Sequence, residues 1–284
     1  MNAIEVKNLT KNYKGFTLNN ISFDLPSGCI MGLIGENGAG KSTTIRSILG
    51  MTKPDNGSIS VLGQTVSAQL KEDIGVVLDE VGIPSSLNIK DINKIMKNMY
   101  KNWDEKVFFG YIDSFSLPTD KKFSDFSKGM KMKLGIAVAL SHNAKLLILD
   151  EPTSGLDPLV RDEIIGILND FTRDEDHSIL ISSHIVSDLE KLCDYIAFMH
   201  NGNLMLCEEK DALLEKYRFI NLTEQQLSEL DPAAIKGKKV GKFSVEAIAD
   251  VEKIPSTFNS SPVTIEDLFV FMAKEPTIIL SIEK

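Results

Sequence analysis

Long hydrophobic runs are absent from this sequence of 284 residues. A membrane-spanning helix needs roughly 20 consecutive apolar residues, and no stretch of the chain approaches that length. Residues 1–5 also lack the basic patch and apolar core that mark a secretory leader. We therefore expect a soluble chain.

Cysteine and positive charge are scarce as well. The cysteines Cys29, Cys193 and Cys207 lie far apart without a C-x-x-C pair, which indicates neither a zinc site nor a disulfide framework and fits a reducing cytoplasm. The net charge of −9 and the isoelectric point near 5.1 argue against nucleic-acid binding. Hydrophobic residues make up 43% of the chain, enough for one large domain with or without an appendage.

A glycine-rich turn follows the apolar residues 30–34. It fits G-x-x-x-x-G-K-[ST] and is composed of Gly35, Glu36, Asn37, Gly38, Ala39, Gly40, Lys41, Ser42 and Thr43. Such glycines let backbone N–H groups point at a triphosphate, next to the positive end of the following helix. We expect Lys41 to reach the β- and γ-phosphates and the Ser42 hydroxyl to bind Mg²⁺. The strand-turn-helix context disfavours a plain glycine turn.

An aromatic residue, Tyr13, lies in a predicted turn at residues 12–15, between strands predicted at residues 4–9 and 16–25. Its ring could stack on an adenine, or it could be an ordinary half-buried tyrosine. The spacing leaves both interpretations open.

Residues 84–141 have the apolar spacing of helices and predict a helical insert. Trp103 lies between two of its helices and is expected in the core. A third helix opens with Ser127, Lys128 and Gly129, which could form a second anion site or a simple helix cap. The residues alone favour the cap.

Two carboxylates, Asp150 and Glu151, close the apolar run of residues 145–149. A buried strand would deliver them to the carboxyl edge of a parallel sheet, where ligands bind. Asp150 suits the holding of Mg²⁺ through water, and Glu151 suits the activation of the attacking water. His184, after residues 178–183, would join them if the two strands are neighbours. The alternatives are strand-end acids that meet solvent and a structural histidine.

In order and spacing, residues 4–217 resemble the ATP-binding subunit of an ABC transporter. The resemblance rests on six elements: Tyr13 as the aromatic A-loop, residues 35–43 as Walker A, residues 127–130 as the signature, residues 146–151 as Walker B, residues 154–157 as the D-loop, and His184 as the switch histidine. It implies an α/β P-loop NTPase of ABC type, with an antiparallel β subdomain, a helical subdomain at about residues 84–141 and a small C-terminal extension.

The same resemblance implies that two such domains enclose two ATP molecules head to tail, with Mg²⁺. Ser127, Gly129 and Asp157 would then bind nucleotide across the dimer, and Tyr13 would stack on adenine. The resemblance also implies integral membrane subunits as partners and a cytoplasmic position on the inner face of the membrane. Whether the second ATP-binding subunit is an identical or a different chain stays open.

Two positions depart from the family pattern. Where the signature usually has Leu-Ser-Gly-Gly-Gln, this chain has Phe126, Ser127, Lys128, Gly129 and Met130. Asp79 replaces the usual Q-loop glutamine. A carboxylate can meet Mg²⁺ through water but cannot donate a hydrogen bond as an amide does.

The extension at residues 218–284 ends in a predicted helix. Thr264 and Asp267 resemble a capping box. An apolar stripe follows the helical spacing at Ile265, Leu268, Phe269 and Met272. So small a segment would hold little core, so the stripe is expected to dock on the catalytic domain or on the second subunit. Similar extensions occur in exporters that resemble the bacitracin-resistance and acetoin-operon types, which favours export.

The sequence thus predicts an ATPase that drives membrane subunits. A soluble ABC-type ATPase acting on nucleic acid or ribosomes is the alternative. A long coiled coil, a second tandem domain and a basic bias would favour it, and the sequence has none of these. A pure binding module would lack an acid such as Glu151.

Overall fold

The computed structural model describes residues 1–241, 244–255 and 258–273. The chain divides into two compact units, Met1–Cys207 and Glu208–Lys284. This division falls earlier than the boundary predicted after residue 217, because the helix Lys210–Lys216 packs on the strand Tyr217–Leu222 within the second unit.

Strands and helices alternate along the first part of the chain. In order they are β1 (Asn2–Tyr13), β2 (Phe16–Pro26), β3 (Ile30–Gly35), α1 (Lys41–Ile48), β4 (Asn56–Val61), β5 (Ile74–Val77), α2 (Ile89–Met99), α3 (Glu105–Ser114), α4 (Lys128–Leu140), β6 (Leu146–Asp150), α5 (Pro158–Phe171), β7 (Ser178–Ser183), α6 (Val186–Leu192), β8 (Tyr195–His200) and β9 (Asn203–Glu209). They form two sheets and a helical layer.

The smaller sheet has the order β2-β1-β4 and is antiparallel, as expected for the β subdomain. Tyr13 is the last residue of β1 and pairs with Phe16 of β2. The hairpin turn is therefore only Lys14 and Gly15, and Gly15 has a φ of 87° that suits glycine. The prediction that Tyr13 lies in the turn is wrong, because β1 continues through it.

The larger sheet has the order β5-β6-β7-β3-β8-β9, and the strands from β5 to β8 in that order are parallel. Strands β3, β6 and β7 are buried along their whole length, as expected for a sheet covered on both faces. Because β6 and β7 are neighbours, the residues that follow them emerge at the same edge. His184 therefore lies at the same sheet edge as Asp150 and Glu151, as predicted for the case in which the two strands are neighbours.

The predicted helical insert contains α2, α3 and α4. Each begins with a polar cap, namely Asn88, Asp104 and Ser127. Trp103 is half-buried and packs against the core of this layer, with its ring centroid 5.1 Å from that of Phe108. Its Nε1 donates a hydrogen bond of 2.9 Å to Asn93, so the expected core role is confirmed.

The second unit has its own sheet. Its elements are α7 (Lys210–Lys216), β10 (Tyr217–Leu222), α8 (Glu224–Glu229), β11 (Ile235–Val240), β12 (Val245–Asp250), β13 (Ser260–Pro262) and α9 (Ile265–Ala273). The sheet order is β11-β12-β10-β13, and α9 packs on β11 and β12.

The capping box of α9 is confirmed, because Thr264 and Asp267 exchange side-chain and backbone hydrogen bonds of 3.0 Å. The expected docking of the α9 stripe on another domain is corrected. Ile265 and Leu268 are buried, and α9 covers the sheet of its own unit. The four strands of that sheet were not predicted. No helix in the described ranges is both long and apolar enough to span a membrane.

Candidate active site

The glycine-rich turn joins the end of β3 to the start of α1. Gly38 and Gly40 have φ angles of 86° and 111°, which glycine adopts without strain. A Cβ on Gly40 would lie 2.8 Å from Leu18 and 3.2 Å from Phe16. The turn encloses a cavity of about 390 Å³ lined by Phe16, Glu36, Asn37, Gly38, Gly40, Lys41, Ser42, Thr43, Asp79 and Glu151; we call it the P-loop cavity. Gly35 and Ala39, the other two residues of the turn, are buried.

Lys41 is buried at the floor of this cavity, with 5% of its side chain exposed. Its Nζ donates hydrogen bonds to the backbone oxygens of Gly35, at 2.7 Å, and Glu36, at 3.3 Å. It also lies 3.1 Å from Glu151 Oε1, an ion pair without hydrogen-bond alignment. The lysine is therefore held by the same turn that it would serve.

Glu151 lies between Lys41 and His184. Its Oε2 is 2.7 Å from His184 Nδ1 and accepts a second hydrogen bond, of 3.3 Å, from the His184 backbone N–H. The pairing of β6 with β7 explains the contact, because both residues directly follow these neighbouring strands. The structure thus brings together all the residues predicted to be catalytic, in the order Lys41, Glu151, His184.

The residues predicted to bind metal are Asp150, Ser42 and Asp79. Asp150 is 4% exposed, and Ser42 and Asp79 line the P-loop cavity. Among the described residues, no cation forms an ion pair with Asp150 and no cluster of His, Cys, Asp or Glu could hold a metal by itself. This donor set of carboxylates and a hydroxyl fits Mg²⁺, which is usually bound by a few protein oxygens together with phosphate and water.

A second cavity, of about 320 Å³, contains the residues predicted as the signature. It is lined by Phe115, Ser127, Lys128, Gly129, Met130, Lys133, Gly155, Leu156, Asp157 and Val160; we call it the signature cavity. Ser127 caps α4 by accepting from the Met130 N–H at 3.3 Å, so the simple cap is present. Asp157 caps α5 in the same way. In the described part of the chain, neither residue lines the P-loop cavity.

Tyr13 is 47% exposed, and its ring centroid lies 6.5 Å from that of Phe16. Phe16 lines the P-loop cavity, whereas Tyr13 is not among the residues that line it. The sequence reasoning treated Phe16 only as the start of a strand and missed its place in the site. Its position directly across the hairpin turn from Tyr13 could have indicated it.

Comparison with known proteins matches this chain to ABC transporters and to transport ATP-binding proteins. The family model for ABC transporters matches residues 18–154. The lantibiotic transport ATP-binding protein SrtF of Streptococcus pyogenes is 38% identical over 211 residues, covering 73% of this chain and 91% of SrtF. The bacitracin transport ATP-binding protein BcrA of Enterococcus faecalis is 37% identical over 213 residues, covering 72% of this chain and 68% of BcrA.

A solved structure described as the ATP-binding subunit of an ABC transporter is 28% identical, with a TM-score of 0.68, and the match covers 75% of this chain and 92% of that chain. The predicted fold class, an α/β P-loop NTPase of ABC type, is thereby confirmed. The chain belongs to the ABC transporter family, as an ATP-binding and ATP-hydrolysing subunit.

Proposed function

We propose that the P-loop cavity hydrolyses ATP with Mg²⁺ and that this hydrolysis powers export through separate membrane subunits. The position of Glu151 carries the proposal, since its carboxylate lies 3.1 Å from Lys41 Nζ and 2.7 Å from His184 Nδ1. An acid held between a cation and an imidazole, in a cavity lined by the glycine-rich turn, is placed to orient and deprotonate a water.

Each residue then has a separate task. Lys41 binds the β- and γ-phosphates and neutralises charge that develops on them. As the phosphates attract Lys41, its ion pair with Glu151 weakens and leaves Oε1 available to the water. His184 holds the other carboxylate oxygen through Nδ1. Asp150, Ser42 and Asp79 would hold Mg²⁺, which would supply positive charge to stabilise the negative charge of the phosphates.

We propose further that a second ATP-binding subunit completes the site. Ser127, Gly129 and Asp157 lie in a cavity of their own, so they would serve the P-loop cavity of a neighbour. A head-to-tail pair with twofold symmetry brings each signature cavity to the partner's P-loop cavity. Tyr13, which is exposed beside Phe16, would offer its ring to the adenine.

We extend the membrane subunits from the relatives, and the export direction from the Nod factor export ATP-binding protein I of Rhizobium leguminosarum, which is 34% identical over 224 residues. SrtF and BcrA are named as transport ATP-binding proteins for lantibiotic and bacitracin, and we extend transport to this chain. The net charge of −9 disfavours the alternative of action on nucleic acid. A position at the inner face of the cell membrane follows if membrane subunits bind the chain.

Two measurements test the function. Hydrolysis of Mg²⁺-ATP by the purified chain should be lost in Lys41→Ala and kept in Lys53→Ala, which changes an exposed lysine outside the cavity. Affinity purification from detergent-solubilised membranes should recover a polytopic membrane protein. Recovery of ribosomes or nucleic acid in place of a membrane protein would support the soluble alternative and contradict the transporter.

A further inference from the structure

One buried serine connects the two acids of the site. Ser182 of β7 lies directly across the sheet from Asp150 of β6 and has no solvent exposure. Its Oγ donates a hydrogen bond of 2.5 Å to Asp150 Oδ1 and accepts one of 3.1 Å from the Glu151 backbone N–H. The hydroxyl thus donates its one hydrogen bond to the carboxylate of Asp150 and accepts one from the backbone of Glu151.

Glu151 depends on this contact because of its backbone. Its φ of 55° lies in the left-handed region, which residues with a Cβ rarely adopt. The Glu151 N–H is shared between the backbone oxygen and the hydroxyl of Ser182, each at 3.1 Å. These two hydrogen bonds fix the backbone from which the carboxylate reaches Lys41 and His184.

Asp150 depends on Ser182 in a different way. In the described part of the chain, the Ser182 hydroxyl is the one hydrogen-bond donor to its buried carboxylate. The bond holds Oδ1 and leaves Oδ2 for a further ligand. A serine buried in a strand gives up hydrophobic burial, and the two hydrogen bonds satisfy its hydroxyl there.

We propose that Ser182 is a positioning residue that orients Asp150 toward Mg²⁺ and Glu151 toward the attacking water through one hydroxyl. This inference rests on the proposed function, because it assigns Ser182 a task at the same site. Ser182 itself touches neither substrate nor metal. Removal of a residue that hydrogen-bonds a metal ligand without binding the metal typically lowers metal affinity or activity by about 10- to 100-fold.

The test compares Ser182→Ala, Ser182→Thr and Ser178→Ala in the full chain. Ser178 is a matched control, since it lies in the same strand, is 1% exposed and accepts a hydrogen bond of 2.9 Å from the Gly28 N–H, away from both acids. Three quantities are measured for each variant. These are steady-state ATP hydrolysis, the affinity for the fluorescent analogue MANT-ATP with EDTA and with Mg²⁺, and the melting temperature.

In Ser182→Ala we expect kcat to fall about 10- to 100-fold and KM for Mg²⁺-ATP to rise about tenfold, in step with its weaker binding. The gain in MANT-ATP affinity that Mg²⁺ provides should fall about tenfold, with the affinity in EDTA unchanged. Ser182→Thr keeps the hydroxyl and suits a strand, so it should restore most of the turnover and of the Mg²⁺-dependent gain. Ser178→Ala should match the unmodified protein in both.

Two results would overturn the inference. One is a Ser182→Ala variant that keeps turnover and the Mg²⁺-dependent gain. The other is an equal loss in Ser182→Ala and Ser178→Ala with equally lowered melting temperatures, which would give the hydroxyl only a role in strand stability. Failure of the proposed function is distinguishable, since the unmodified protein would then show neither hydrolysis nor any effect of Mg²⁺ on binding.

Discussion

The P-loop cavity and the signature cavity differ in how their charged groups are satisfied. In the P-loop cavity, Lys41 and Glu151 are 5% and 13% exposed and pair with each other. In the signature cavity, Ser127 and Lys128 are exposed, and Lys128 forms no ion pair with any residue that the structure describes. In the first cavity the buried lysine and glutamate pair within one chain, whereas the second presents a hydroxyl and an exposed cation outward.

This difference indicates which groups of the active site are assembled within one chain and which face a neighbouring chain. Buried charges are stable only when paired and hydrogen-bonded, so the hydrolytic groups must be assembled in advance. An exposed lysine beside a helix start attracts an anion that arrives from outside. A triphosphate bound to a neighbouring chain is such an anion. Variants of the two cavities should therefore fail in different ways.

The largest effect is expected at the P-loop cavity, in Glu151→Gln. Glutamine keeps the shape of the side chain but cannot accept the proton of the water, so turnover should fall about 100-fold or more while ATP still binds. A stable ATP-bound dimer should accumulate in size-exclusion chromatography. Glu175→Gln, which removes an acid outside both cavities, is the control. Hydrolysis by Glu151→Gln at the unmodified rate would show that another group activates the water.

A smaller effect is expected at the signature cavity, in Lys128→Glu. Reversing this exposed charge opposite a partner's phosphates should lower activity about tenfold at low protein concentration, which corresponds to about 1.4 kcal/mol of association. MANT-ATP affinity should be unchanged, since the P-loop cavity is untouched. Lys94→Glu, at an exposed lysine of α2, should have no effect. Equal losses in both variants would reduce the result to a general charge effect.

The smallest effect is expected at the base-stacking residue, in Tyr13→Ala. A lost aromatic contact of about 0.5–1.5 kcal/mol should raise KM for ATP roughly two- to thirteenfold with kcat nearly kept. Tyr13→Phe keeps the ring and should behave like the unmodified protein. Because stacking discriminates weakly between bases, GTP should also be hydrolysed. An unchanged KM in Tyr13→Ala would make this tyrosine structural and shift the base contact to Phe16.

The sequence predicted those parts of the site that lie in short continuous segments. The turn around Lys41 and the two acids at the end of β6 need only local spacing, and each lies where its motif indicated. The contact between Glu151 and His184 depends on which strands are neighbours, a long-range property that the spacing left conditional. Ser182 was missed because its partner Asp150 is 32 residues away and the contact depends on the pairing of β6 with β7.

The second unit shows what the sequence could not predict. One of its strands, Ser260–Pro262, has only three residues, and Asp231, Pro232 and Gly237 interrupt any periodic pattern. The stripe on α9 was recognised, but its partner, the sheet of the same unit, was not. Gly237 could have been an indication, since a Cβ there would collide with the backbone of Phe271. Glycine inside a strand often marks the close approach of another backbone.

The central claim is that two chains share each active site, and mixing two inactive variants tests it most directly. Lys41→Ala destroys the P-loop cavity and Ser127→Arg obstructs the signature cavity, so each variant alone should be inactive. In a mixed dimer one site carries both defects and the other carries neither. An equal mixture should therefore recover about a quarter of the unmodified activity per chain, rising with protein concentration. No recovery on mixing, together with specific activity in the unmodified protein that is constant from nanomolar to micromolar concentration, would mean that each chain works alone and would contradict the shared site.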